Sequence, residues 1–161
     1  VAEGVRDAEP TDLVLLPEVE AAADALFASL GVTGLPPAAT AAERAGAWRV
    51  LVAGRPVVGF AVLERVDRDV HLEQLSVRPS AGRRGVGTAL LEAVVGVARA
   101  CGARRVTLTT YADVPWNGPW YAARGFTEVR DAGPELGALV AAEAAAGLPE
   151  HGRRVVMARA A

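Results

Sequence analysis

The chain has 161 residues, of which 52% are hydrophobic and 22% charged, and carries a net charge of −2. That length and composition predict a single ordered domain, residues 1–161, without an apolar run long enough to span a bilayer. Every one of the seventeen basic residues is arginine, which excludes a Walker-A loop and Schiff-base or pyridoxal chemistry, and the slight acidic excess argues against a nucleic-acid partner.

A short extended start over 4–8 leads at Pro10-Thr11-Asp12, with Thr11 and Asp12 as candidate caps, into one helical stretch reaching Leu30. Leu13, Leu16, Val19, Ala23, Leu26 and Leu30 recur there at helical spacing. Gly31 ends it, and the Pro- and Gly-rich segment 31–42 predicts a loop with one short helix. Strands are predicted over 47–53 and 56–66 around a Gly54-Arg55 turn, and over 70–78 after a turn at Asp67-Arg68-Asp69. Gly85 opens a helix whose apolar face runs from Val86 to Cys101. Then come a strand over 105–111, a short helix over 120–124, a strand over 126–130, an alanine-rich helix over 134–146 and a final strand over 153–159. The pattern predicts an α/β (α+β) fold: one mixed, largely antiparallel sheet of six to seven strands with helices on both faces.

Several chemistries are absent from the inventory. His71 and His151 are far apart and form no zinc-binding helix, so no metal is expected. No serine lies in a nucleophile elbow. Cys101, at the end of an apolar helix, reads as a buried structural thiol, and as the only cysteine it leaves no disulfide framework; a reducing, cytoplasmic setting follows as the default, with no secretory leader visible. Trp48, Trp116 and Trp120 read as core or cleft wall. Such a chain, if an enzyme, positions two reactants and moves protons.

Residues 80–88, Ser-Ala-Gly-Arg-Arg-Gly-Val-Gly-Thr, lie between a strand and a helix. Glycines there let backbone N–H groups converge at a helix N-terminus, and two arginines add fork-shaped donors, a setting for a diphosphate. The dinucleotide fingerprint fails because Leu90 occupies its third glycine position and no ribose-binding acid follows the next strand, where Thr109 and Thr110 stand. Coenzyme A fits better.

The order of Leu75-Ser76-Val77, then Gly82-Arg83-Arg84-Gly85-Val86-Gly87, then Asn117 with Tyr121-Ala122-Ala123-Arg124-Gly125-Phe126 resembles the GNAT acetyltransferase superfamily. Gly82 departs from the glutamine or arginine usual at the head of the loop motif. The resemblance implies acetyl-CoA as cosubstrate, with no metal, and a small-molecule or peptide amine as acceptor. Leu75, Ser76 and Val77 would offer backbone to pantetheine. Arg83, Arg84, Gly85, Val86, Gly87 and Thr88 would hold the pyrophosphate. Asn117 would hydrogen-bond the pantetheine end, or instead cap the following helix. Tyr121 is the implied general acid, close to the cofactor thiol.

The base stays open between two residues. Strand alternation puts His71 and Glu73 on one face, about 6.6 Å apart along the strand, and a base on this strand is what the resemblance implies; Glu73 is favoured over His71. Asp113 and Tyr111 are spare candidates, and Arg78 and Arg124 candidates for a 3′-phosphate contact. Glu18, Glu20 and Asp24 read as a solvated helix face. Two other readings stand beside the enzyme: a non-catalytic acyl-CoA sensor of the same fold, and an interaction domain without a ligand. The partners expected are coenzyme A and the amine, with no membrane and no nucleic acid; a homodimer is left open.

Overall fold

Continuous runs of buried residues, four over 50–53 and five over 59–63, build the sheet, as expected of strands covered on both faces. In the computed structural model, which describes residues 4–161, seven strands follow the order β1-β2-β3-β4-β5-β7-β6. They are β1 (Val5–Asp7), β2 (Arg49–Ala53), β3 (Gly59–Val66), β4 (Asp69–Val77), β5 (Arg105–Tyr111), β6 (Thr127–Glu128) and β7 (Arg154–Ala160). The β4–β5 pair is parallel, whereas β1–β2, β2–β3, β5–β7 and β6–β7 are antiparallel. The helices are α1 (Pro10–Leu13), α2 (Leu16–Asp24), α3 (Ala41–Ala45), α4 (Val86–Ala100), α5 (Gly118–Ala122) and α6 (Pro134–Ala145). The chain divides into two compact units, one ending at Glu64 and resuming over Leu72–Val97, the other formed by Arg65–His71 and Ala98–Ala161.

In the first unit, Leu16 and Val19 of α2 pack with Val50, Val52, Val57, Phe60 and Val62 in one apolar cluster. The helical stretch expected from 10 to 30 is broken. Pro17 sits in the first turn of α2 and has no N–H to donate back to Leu13, so α1 stops there; after Asp24 the chain tightens into a 3-10 turn over Ala25–Leu30. Asp12 is not the cap residue of α1. It accepts the Glu9 N–H at 2.8 Å and pairs with Nη1 and Nη2 of Arg6 at 2.6 and 2.9 Å, tying α1 to β1. The two-residue turn expected after β2 is longer, because strand pairing resumes only at Gly59, opposite Ala53. Gly59 is tightly packed: a Cβ there would lie 3.1 Å from both Leu90 and Val86 of α4 and 3.2 Å from the Ser76 carbonyl, so these neighbours would have to give way. Leu90, Leu91, Val94 and Val95 carry the buried face of α4.

In the second unit β5 and β7 pair over seven residues, from Arg105↔Ala160 to Tyr111↔Arg154. β6 is shorter than the strand expected over 126–130, being regular only at Thr127–Glu128, with Val129 still donating to Val156. The turn before β4 places Asp67 at φ 51 and Arg68 at φ 66, both left-handed, which suits the twist of a tight hairpin. Asp67 has a second role. Gly133 at the start of α6 has no capping side chain, and the Asp67 carboxylate substitutes for one, accepting the N–H groups of Glu135 (3.0 Å) and Leu136 (2.8 Å). The Glu135 carboxylate in turn accepts the Asp67 N–H at 3.1 Å. A Cβ on Gly133 would lie 2.5 Å from the Asp67 carboxyl carbon, so a side chain there would displace the capping carboxylate. Asp67→Ala is expected to lower stability by about 1–2 kcal/mol, the loss of a good N-cap, read as a reduced urea midpoint with an unchanged m-value.

Candidate functional site

Within the first unit, β4 runs through Pro79–Ala81 into the turn that starts α4. Arg83 adopts φ 62 and Gly85 φ 79, so the backbone curls through the left-handed region twice before the helix begins. Gly85 accepts from Ala89 at 2.9 Å, the first bond of α4; the amides ahead of Ala89 have no acceptor one turn back inside the helix. Fifteen residues of helix stand behind that end, and the dipole adds partial positive charge there. Gly82, Arg83, Arg84 and Gly85 are exposed, while Val86 is buried and anchors the turn. Exposed arginine charge and the N-terminal end of a long helix thus coincide, the setting an anion needs.

The β4 ladder to β5 covers Val70↔Val106 and His71↔Thr107. Leu75 and Val77 are half-buried, and Ser76 is buried with its hydroxyl accepting from Gln74 at 2.9 Å.

His71 and Glu73 do not share an environment. His71 is 1% exposed, with Nδ1 2.9 Å from the Thr107 hydroxyl. Burial pushes its imidazole down to about 4, so it is neutral at pH 7 and a poor acceptor for an ammonium proton. The Glu73 side chain is 45% exposed and contacts Arg44 Nη1 at 3.3 Å. Arg44 in turn bonds Glu20 at 2.7 Å, both side chains being buried. Glu20 is therefore a buried ion-pair member and not part of a solvated face. Asp24 is half-buried near it, and desolvation followed by repulsion from Glu20 pushes its carboxyl up to about 6. Glu18 is the exposed one and pairs with Arg78 at 3.0 Å.

Within the second unit, α5 begins two residues earlier than the sequence suggested, at Gly118. A Cβ at Gly118 would lie 2.6 Å from the Ala112 carbonyl oxygen, so glycine permits the close approach that starts the helix. Asn117 takes the N-cap position but makes no side-chain cap; its Oδ1 instead accepts from the Thr110 hydroxyl at 2.6 Å. Tyr121 is 9% exposed, edge-on to Trp120 (5.0 Å) and Phe126 (5.6 Å). Burial pushes its phenol up, which keeps the proton on oxygen at neutral pH. Gly125, at φ 88, closes the helix. Arg124 stacks on Trp120 at 3.9 Å.

Two of the spare candidates have other partners or surroundings. Tyr111 is buried, donates to the Leu148 carbonyl at 3.0 Å and lies under Arg154; Asp113 is exposed. Cys101 corrects the expectation of a buried thiol: α4 ends at Ala100, so Cys101 falls in the following turn and is exposed, accepting from Arg65 at 3.2 Å. Trp48 is also exposed, at 41%. Among the described residues no helix is long and apolar enough to cross a membrane. Arg44, Glu20 and Thr110 have no part in the sequence motif, and only their contacts reveal them.

The sequence pattern of the Acetyltransferase (GNAT) family matches residues 19–126, a span that holds the α4 turn, β4, Asn117 and Tyr121. The chain belongs to the GNAT acetyltransferase family. Solved structures agree on the fold. The PaiA N-acetyltransferase of Thermoplasma acidophilum, in complex with coenzyme A, is 15% identical over 98% of this chain and 98% of its own, with a TM-score of 0.71. A GNAT-family acetyltransferase of Staphylococcus aureus Mu50 is 14% identical, covers 98% of each chain and has a TM-score of 0.72. The N-acetylglutamate synthase of Neisseria gonorrhoeae, complexed with coenzyme A and N-acetyl-glutamate, is 22% identical over 98% of this chain and 34% of its own, with a TM-score of 0.66. The GNAT fold of this chain is thus shared with acetyltransferases of several organisms.

Proposed function

We propose that this GNAT protein transfers the acetyl group of acetyl-CoA directly to a primary amine of a small molecule or peptide, as one domain in the cytoplasm. The observation that carries the reading is the α4 turn, where two exposed arginines flank left-handed backbone at the head of a fifteen-residue helix. Pyrophosphate oxygens accept from the amides of Gly85, Val86, Gly87 and Thr88, and Arg83 and Arg84 neutralise the charge. The pantetheine arm pairs with the backbone of Leu75, Ser76 and Val77 as an added strand would. The Asn117 amide holds the arm near its thiol end. Coenzyme A complexes of two solved structures of the same fold support this assignment.

In the reaction the amine nitrogen attacks the thioester carbonyl carbon, the C–S bond breaks, and an amide forms. The thiolate, with an ordinary pKa near ~8.5, takes a hydrogen bond from Tyr121 as the C–S bond breaks, and a proton from solvent as coenzyme A leaves. The nitrogen loses its proton to the Glu73 carboxylate through a water. His71, buried and neutral, serves the strand and not the proton transfer.

Differential binding tests the reading. Acetyl-CoA at about 100 times its dissociation constant should stabilise the fold by about 2.7 kcal/mol, while NAD at equal concentration leaves the melting temperature unchanged. Replacing Arg83 and Arg84 by alanine should weaken coenzyme A by about ten-fold and pantetheine, which lacks the diphosphate, by less than about two-fold. A thiol-release assay over amines, amino acids and peptides then identifies the acceptor. Stabilisation by NAD and not by coenzyme A overturns the proposal; tight binding with no turnover on any amine leaves a sensor of acyl-CoA.

A further inference from the structure

Asn117 is held from several sides. Its N–H donates to the Val114 carbonyl at 2.9 Å, its own carbonyl accepts from Tyr121 N–H at 3.0 Å, and its Oδ1 accepts from Thr110 at 2.6 Å. Thr110 lies on β5, 2% exposed, opposite Val155 of β7. A primary amide has one acceptor end and one donor end, and either can face a ligand when the side chain is unconstrained. Here the acceptor end is occupied by a hydroxyl fixed in a central strand. The end left for a ligand is Nδ2, with two N–H donors and no lone pair to offer.

We infer that Thr110 is a positioning residue that locks the Asn117 amide with its N–H donors toward the bound cofactor, so that Asn117 recognises a carbonyl oxygen of the pantetheine arm. The inference rests on the acetyl-CoA reading and adds to it a polarity and a second residue. Without the Thr110 hydroxyl the amide rotates freely between its two orientations. A lone pair then meets the ligand carbonyl in part of the population, and the ordering of the side chain must be supplied at binding. The short bond also links β5 to the start of α5, the helix that carries Tyr121.

Calorimetric titration of coenzyme A into the parent protein and four variants tests this. Thr110→Val keeps shape and removes the hydroxyl; it should raise the dissociation constant about ten-fold, while Thr110→Ser, which restores the hydroxyl, stays within about two-fold of the parent. Asn117→Asp keeps an acceptor for Thr110 but replaces the donor end by oxygen, and should weaken binding at least as much as Thr110→Val does. In the Asn117→Ala background, Thr110→Val should have no further effect, since the two residues act as one unit. The same factor in both backgrounds, or full affinity in Asn117→Asp, overturns the inference. Weakened binding in Thr110→Ser with a parent-like melting temperature does so as well. A fall in kcat at unchanged coenzyme A affinity assigns the Asn117 donors to the thioester oxygen during reaction, and also overturns the pantetheine contact. If the parent itself fails to bind coenzyme A, the acetyl-CoA reading falls first.

Discussion

Tyr121→Phe is expected to lower kcat by about 100-fold while the affinity for coenzyme A stays within about two-fold of the parent. The substitution keeps the ring that packs edge-on against Trp120 at 5.0 Å and Phe126 at 5.6 Å, so the local core is retained. It removes only the oxygen and its proton. Burial raises the phenol, so the group is a neutral donor throughout the neutral range and does not compete with the departing thiolate for negative charge. A donor aimed at an anion in a dry setting contributes most where charge develops, in the transition state and not in the ground-state complex. A loss of that size corresponds to about 2.7 kcal/mol of activation free energy. Steady-state thiol release gives kcat, and calorimetry gives the affinity. An unchanged kcat would return Tyr121 to a packing role in the core.

Arg44→Met should destabilise the protein by about 3–5 kcal/mol, the cost of leaving one member of a buried ion pair alone. Arg44 and Glu20 side chains are 6% and 8% exposed and meet at 2.7 Å. Removing the guanidinium strands the Glu20 carboxylate in the interior, whereas Arg44→Met with Glu20→Met removes both charges and should recover most of the loss. Recovery is helped because the native pair is itself imperfect: Arg44 Nε is buried without a hydrogen-bond partner. By contrast, Glu9→Gln breaks an exposed contact with Arg55, at 57% and 64% side-chain exposure, and should change stability by less than about 1 kcal/mol. Urea midpoints at fixed pH separate the cases. Equal small effects for Arg44→Met and Glu9→Gln would mean that Glu20 reaches water when its partner is gone. Activity should fall in the double variant as well, since Arg44 also holds Glu73 at 3.3 Å.

The elements of this protein were legible because backbone chemistry is local. Alternation over 70–77 and glycines on either side of α4 each act within a few residues, and the structure places strands and helices within a few positions of the expected ones. The structure departs from these expectations where a local signal is outweighed. Pro17 broke a periodic helix that apolar spacing alone would have continued to Leu30. Cys101 kept the apolar spacing of α4 yet fell one residue past its end, in a turn that leaves it exposed.

The candidate site divides in the same way. The arginine–glycine turn is legible because glycines and charge at a helix start act locally, whereas Asn117 and Tyr121 enter through the resemblance to the GNAT family and not through a local signal of their own. Partners distant in sequence are not legible. Arg44 meets Glu20 across 24 positions, and Asp67 caps a helix 68 positions away. Strand alternation gave His71 and Glu73 the same face, but β5 pairing buries the first beside Thr107 while the second meets Arg44 and half reaches solvent. Period and spacing fix which way a side chain points from its own strand. What lies there to desolvate it, pair with it or take its proton is decided only when the folded chain brings its distant segments together.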